Sequence, residues 1–68
     1  EKKAFECYKK ANELDKTVAL YWYNLGYCYL NGIGTEVDKE KAKEMFQKAL
    51  ELNPNFEEAK ELLLECDE

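Results

Sequence analysis

Sixty-eight residues make at most one domain, and at that size roughly 60% of the unfolded chain's surface can be buried. A hydrophobic content of 46%, with 13% aromatic, excludes a disordered chain, and no apolar run nears the ~20 residues of a membrane-spanning helix. The net charge of −5, with no Arg and no basic patch, argues against a phosphate-backbone partner such as nucleic acid.

The first predicted helix covers about residues 2–14. Ala4, Phe5, Cys7, Tyr8, Ala11 and Leu14 recur at helical spacing, and Lys3, Glu6, Lys9, Lys10 and Glu13 fill the other side. The second covers about residues 18–30, with Thr17 as its N-cap, because a Thr hydroxyl can accept from an amide of the first turn. It is apolar nearly all round, so it is either covered on several sides or partly displayed. Asn31-Gly32-Ile33-Gly34-Thr35 then stops the helix, since Asn and Gly tolerate positive φ.

The third helix covers about residues 38–52, with Asp38 as N-cap. Its buried stripe is Ala42, Met45, Phe46, Ala49, Leu50 and Leu52, and Glu40-Glu44-Lys48 supplies an acid-to-base pair on the wet face. Asn53-Pro54 ends it, because the residue before Pro is pushed out of helical geometry. Asn55 and Glu58 form a capping box for a fourth helix over about residues 56–66. Residues 1–34 carry five Lys against four acids, whereas residues 35–68 carry five Lys against eleven. Most of that excess sits in the last helix, at Glu57, Glu58, Glu61, Glu65, Asp67 and Glu68. The acidic helix is either a solvated end or an attraction for a basic partner.

The chain nearly repeats itself at an offset of 38 residues. Asp15-Lys16-Thr17 falls on Asn53-Pro54-Asn55, and Leu25 and Cys28 fall on Leu63 and Cys66. Ala4, Tyr8, Ala11 and Leu14 fall on Ala42, Phe46, Ala49 and Leu52. A period of that size made of two helical patterns indicates a stacked helical array, and short connections make consecutive helices antiparallel neighbours.

Trp22-x-x-Leu25-Gly26-x-x-Tyr29, followed by Ala42-x-x-x-Phe46-x-x-Ala49 and Pro54, resembles the tetratricopeptide repeat. The chain departs from the simple 34-residue repeat by extra residues between Tyr29 and Ala42. There the pattern Gly32-x-Gly34-x-x-x-Asp38-x-x-Lys41-Ala42 is similar to the Sel-one-like repeat, a relative with a longer loop. The reading is one complete hybrid repeat flanked by two half repeats, an all-α solenoid of helix-turn-helix units occupying residues 1–68 as a single segment. Small residues at Gly26 and Ala42 let two helices approach while Phe46 fills the space beside them. Lys60 stands where Trp22 stands and Leu64 where Gly26 stands, so the fourth helix lacks what is needed to receive another helix closely. No polar cap precedes the first helix, so the chain reads as a piece of a longer natural or designed array.

The resemblance implies a non-catalytic interaction scaffold that takes a peptide or protein segment in a concave face lined by the first helix of each pair. Leu20, Tyr23, Asn24, Tyr27 and Asn31 form the stripe of helix two that this places in the groove. Glu58, Glu61 and Glu65 form the adjoining acidic wall, which suits a basic partner. Two readings of Tyr23 and Tyr27 stand: packing against neighbouring helices, or displayed contact area. The alternative function is a structural spacer or self-associating element that pairs through its uncapped N-terminal face, at Phe5 and Tyr8.

Chemistry finds no foothold. There is no His and no Ser, a Cys nucleophile lacks an imidazole base, and the carboxylates lie on solvated faces. Gly32-Ile33-Gly34 follows no strand and lacks the Lys-Ser/Thr ending of a phosphate loop. No catalytic residue, cofactor, metal or membrane is expected. Cys7, Cys28 and Cys66 read as small core residues of a reducing, cytoplasmic compartment.

Overall fold

In each of four segments the apolar residues recur at helical spacing, and each folds as a helix. The computed structural model describes residues 2–66, with α1 (Lys2–Leu14), α2 (Ala19–Asn31), α3 (Lys39–Leu52) and α4 (Glu57–Cys66). Asp67 and Glu68 of the acidic stretch lie outside the described residues. The short connections turn each helix back along the one before, so α2 packs between α1 and α3, and α4 packs on α3 with an edge against α2. The extents of 28 × 27 × 15 Å fit this arrangement. Two stacked helices with axes ~8–10 Å apart and a Cα radius near 2.3 Å give a similar thickness.

The core sits where α2, α3 and α4 meet. Ala42, Phe46, Ala49 and Ala59 are fully buried, and Trp22, Tyr23, Tyr29, Leu50, Phe56 and Leu63 pack against them. A side chain the size of Phe46 gains ~1.5–3 kcal/mol from full burial. Its ring lies directly on Gly26: a Cβ built there would stand 2.6 Å from Phe46 Cε1. The missing side chain of Gly26 is therefore the seat of the Phe46 ring, a tighter role than the close helix approach expected for Gly26 and Ala42.

The two turns leading from α1 to α2 and from α3 to α4 share one hydrogen-bond pattern. Asp15 Oδ1 accepts from Thr17 N at 2.9 Å, and Asn53 Oδ1 accepts from Asn55 N at 3.2 Å. Asp15 N donates to Ala11 O, and Asn53 N donates to Ala49 O. This corrects two expectations. Thr17 does not cap α2, because its hydroxyl donates to Asp15 Oδ1 at 2.5 Å; the residue at the cap position is Val18, which has no side-chain acceptor. No Asn55–Glu58 capping box forms among the described residues, and the turn is held from Asn53. Both misreadings have one cause: an Asx residue two positions upstream folds the backbone before the capping side chain can reach it.

Asp38 caps α3 as expected, accepting from Lys41 N at 3.1 Å. At the other end of the loop, Gly32 takes φ +68° and Ile33 N donates to Cys28 O at 2.9 Å, the six-to-one closure of a Schellman stop. Asp38 N donates to Tyr29 O, so the longer loop is pinned to the end of α2.

Some stripe residues lie elsewhere than expected. Leu14 is 79% exposed, Cys7 is exposed, and Leu52 is 43% exposed. Leu14 and Leu52 are the last residues of their helices, at the turn edge. The anticipated Glu44–Lys48 pair does not form among the described residues, whereas Lys60 Nζ approaches Glu57 at 3.7 Å. Asn12 of α1 is 4% exposed, and its Nδ2 finds no partner.

Candidate protein-interaction face

The expected groove stripe follows from the rotation of α2. Leu25, Gly26 and Cys28 turn inward and are buried. The opposite positions Leu20 and Tyr27 are 51% and 44% exposed. Tyr23 and Asn24 lie between and are half-buried, and Asn31 is exposed. Asn31 Nδ2 donates to Tyr27 O at 3.2 Å, which commits that amide to the end of its own helix.

Tyr23 is built into the fold. Its ring centroid lies 4.9 Å from that of Phe56 and 5.8 Å from that of Phe46. It also stacks on Tyr27, at 6.5 Å and 30°. The packing reading therefore applies to Tyr23, and Tyr27 is the ring of the pair with an open face. Phe56, unremarked in the sequence because it opens a helix, is the residue that joins α4 to this aromatic group. Val18 is its counterpart at the offset of 38, and it carries no ring.

Glu58, Glu61 and Glu65 are exposed on α4. The Tyr23 phenol is pushed above its usual range, first by burial, then by the negative charge of Glu58, by Tyr27 and by Glu61. Glu58 and Glu61 therefore stand near enough to the Tyr23 ring for their charge to act on it. Cys28 is 1% exposed, and burial raises its thiol, so it is held in the unreactive form. Among the described residues no group of His, Cys, Asp and Glu is arranged to hold a metal ion, and no helix is long and apolar enough to cross a membrane.

A second surface feature escaped the sequence reading. Trp22, which the repeat motif groups with Leu25 and Tyr29, is only half-buried, with part of its ring against the core and part against an open cleft of about 420 Å³. The cleft is lined by Lys16, Trp22, Lys48, Glu51 and Leu52. The indole N–H donates to Lys16 O at 2.9 Å, and Lys16 Nζ sits 5.6 Å from the ring centroid. The available signal was the indole N–H itself, which requires an acceptor wherever the ring is partly buried.

The model of the Sel1 repeat family matches residues 1–16 and 23–54. The chain belongs to the Sel1 repeat family. Its match resumes at Tyr23 and runs through the glycine loop and α3, the region where the longer loop and the Gly26–Phe46 contact lie. The unmatched stretch between the two segments contains Trp22. The chain is also similar to Protein O-mannosyl-transferase TMTC3 of Homo sapiens, with 44% identity over 52 residues. That alignment covers 76% of this chain and 5% of that protein, so the chain spans a small part of its relative's length. No solved structure matches the chain. Sel1 repeats are generally protein-interaction modules and are typically non-catalytic.

Proposed function

We propose that this Sel1-repeat segment binds a basic peptide or protein segment along the α2 face, with Leu20 and Tyr27 as contact residues and Glu58, Glu61 and Glu65 as the electrostatic wall. The observation that carries the reading is the Tyr23–Tyr27 stack beside the α4 acids. Tyr23 is locked against Phe46 and Phe56, so it holds Tyr27 in place with little loss of side-chain freedom on binding. An exposed, preordered Tyr is a common source of binding energy, and the neighbouring carboxylates steer and select a cationic partner. Asn24 and Asn31 border the contact, and the Asn31 amide serves the helix end.

The alternative of a self-associating spacer draws less support, because the Phe5 ring is engaged edge-to-face with Tyr29 at 5.4 Å. A peptide array of Lys-bearing sequences with neutral and acidic counterparts tests the proposal. Binding is expected to prefer Lys-bearing peptides, to weaken about tenfold in Tyr27→Ala, and to weaken in Glu58→Gln/Glu61→Gln and at higher salt. Hits that bind all these variants as well as the parent would refute it.

A further inference from the structure

The Trp22 cleft lies at the turn edge and shares no residue with the α2 stripe or the α4 acids. Its ring is held on two sides before any partner arrives: the indole N–H is fixed to Lys16 O at 2.9 Å, and the Lys16 ammonium lies over the ring. The Asp15–Thr17 hydrogen bonds fix the turn that presents Lys16. The opposite wall comes from the last turns of α3, where Leu52 stays 43% exposed instead of completing the core stripe. Lys48, unpaired with Glu44, also faces the cleft. The volume of about 420 Å³ falls within the range of clefts that hold ligands, ~300–1,000 Å³.

Charge selects the occupant. Two ammonium groups face one carboxylate, Glu51, so the cleft is locally cationic on a chain of net charge −5. The excess of acids lies in residues 35–68 and mostly on α4, so an acidic group is repelled from that side of the molecule and meets two ammonium groups here. The apolar surface of Trp22 and Leu52 lies directly beside the ammonium groups. We propose that the cleft is a docking site for a protein segment in which an acidic residue stands next to an apolar one: the apolar side chain lies on Trp22 and Leu52, and the carboxylate meets Lys48 and Lys16. The module would then carry two faces of opposite selectivity, an acidic aromatic face on α2 and α4 and a cationic apolar cleft at the turn edge.

Trp22 is the single tryptophan of the chain, so its fluorescence reports this cleft directly. The intact chain is titrated with a short capped peptide carrying Leu-Glu-Leu, and with analogues in which Gln or Lys replaces the Glu. The expected result is a saturable change in Trp22 emission with the Glu peptide, and binding about tenfold weaker or worse with the Lys analogue. Lys48→Glu should invert that preference and Tyr27→Ala should leave it unchanged; Lys48 is exposed, so far-UV circular dichroism of the variant should match the parent. The proposal is overturned by no saturable response up to millimolar peptide, by equal binding of the three peptides, or by a Lys48→Glu variant that retains the parent's preference. Because a Lys peptide is also the ligand class proposed for the α2 face, the titrations are read from Trp22 emission in the Tyr27→Ala background as well as in the parent, which separates failure of the cleft from failure of that face.

Discussion

Gly26→Ala is the smallest change that tests how the helices meet. A Cβ at this position would lie 2.6, 2.9 and 3.0 Å from Phe46 Cε1, Cδ1 and Cζ. Real carbon contacts do not approach so closely, so the ring must move. Phe46 is fully buried, with Ala42, Ala49 and Ala59 around it, and has no solvent side to retreat to. Overpacking of this kind costs ~1–3 kcal/mol, while Ala gains ~0.5–1 kcal/mol over Gly in a helix interior. The net expectation is a loss of about 1–2 kcal/mol, or a fall in Tm of roughly 5–15 °C for a domain of this size. Thermal and urea unfolding followed by far-UV circular dichroism measures it. A double-mutant cycle with Phe46→Leu isolates the contact: Gly26→Ala should cost at least ~1 kcal/mol less when the ring is gone. A Tm that rises in Gly26→Ala, or a cycle that is additive, would show that the ring does not rest on Gly26.

Asn12 is buried with an unpartnered amide nitrogen, and its counterpart at the offset of 38 is Leu50, so Asn12→Leu is expected to stabilise by ~1 kcal/mol. A lower urea midpoint for that variant would mean the amide is needed where it stands. The Asp15 carboxyl is held below its ordinary value by the Thr17 hydroxyl and then by the Thr17 amide. A lowered folded-state pKa stabilises above the unfolded value, and the benefit is lost as pH falls through the folded one. The stability gap between the parent and Asp15→Asn should therefore narrow as pH falls through and below the ordinary carboxylate range. Urea midpoints across that interval measure it, and a gap that stays constant refutes the role of the charge.

Helix content, helix order and the family were legible because they rest on periodicity and on fixed spacing. Trp22, Leu25, Gly26 and Tyr29 on one helix and Ala42, Phe46 and Ala49 on another imply a close pairing from residue size alone, and Leu25, Gly26, Ala42, Phe46 and Ala49 are all buried. The ends of helices were less legible. Thr17 and Asn55 both look like caps, yet each sits two residues after an Asx side chain that captures its amide. Sequence alone cannot rank two local hydrogen bonds of similar strength that compete for one turn.

The surface was divided in the same way. The stripe Leu20–Tyr23–Tyr27 and the acids of α4 could be listed from a helical wheel, but the wheel could not say that Phe56 crosses over to hold Tyr23, leaving Tyr27 as the open ring. Nor could it bring Lys16, from one turn, beside Lys48 and Leu52, from the end of another helix, to frame Trp22. Side-chain size and spacing act along one helix and are written in the chain. Which residues become neighbours across helices depends on how far each helix rotates and slides to seat Phe46 on Gly26, and that is decided only when all four pack.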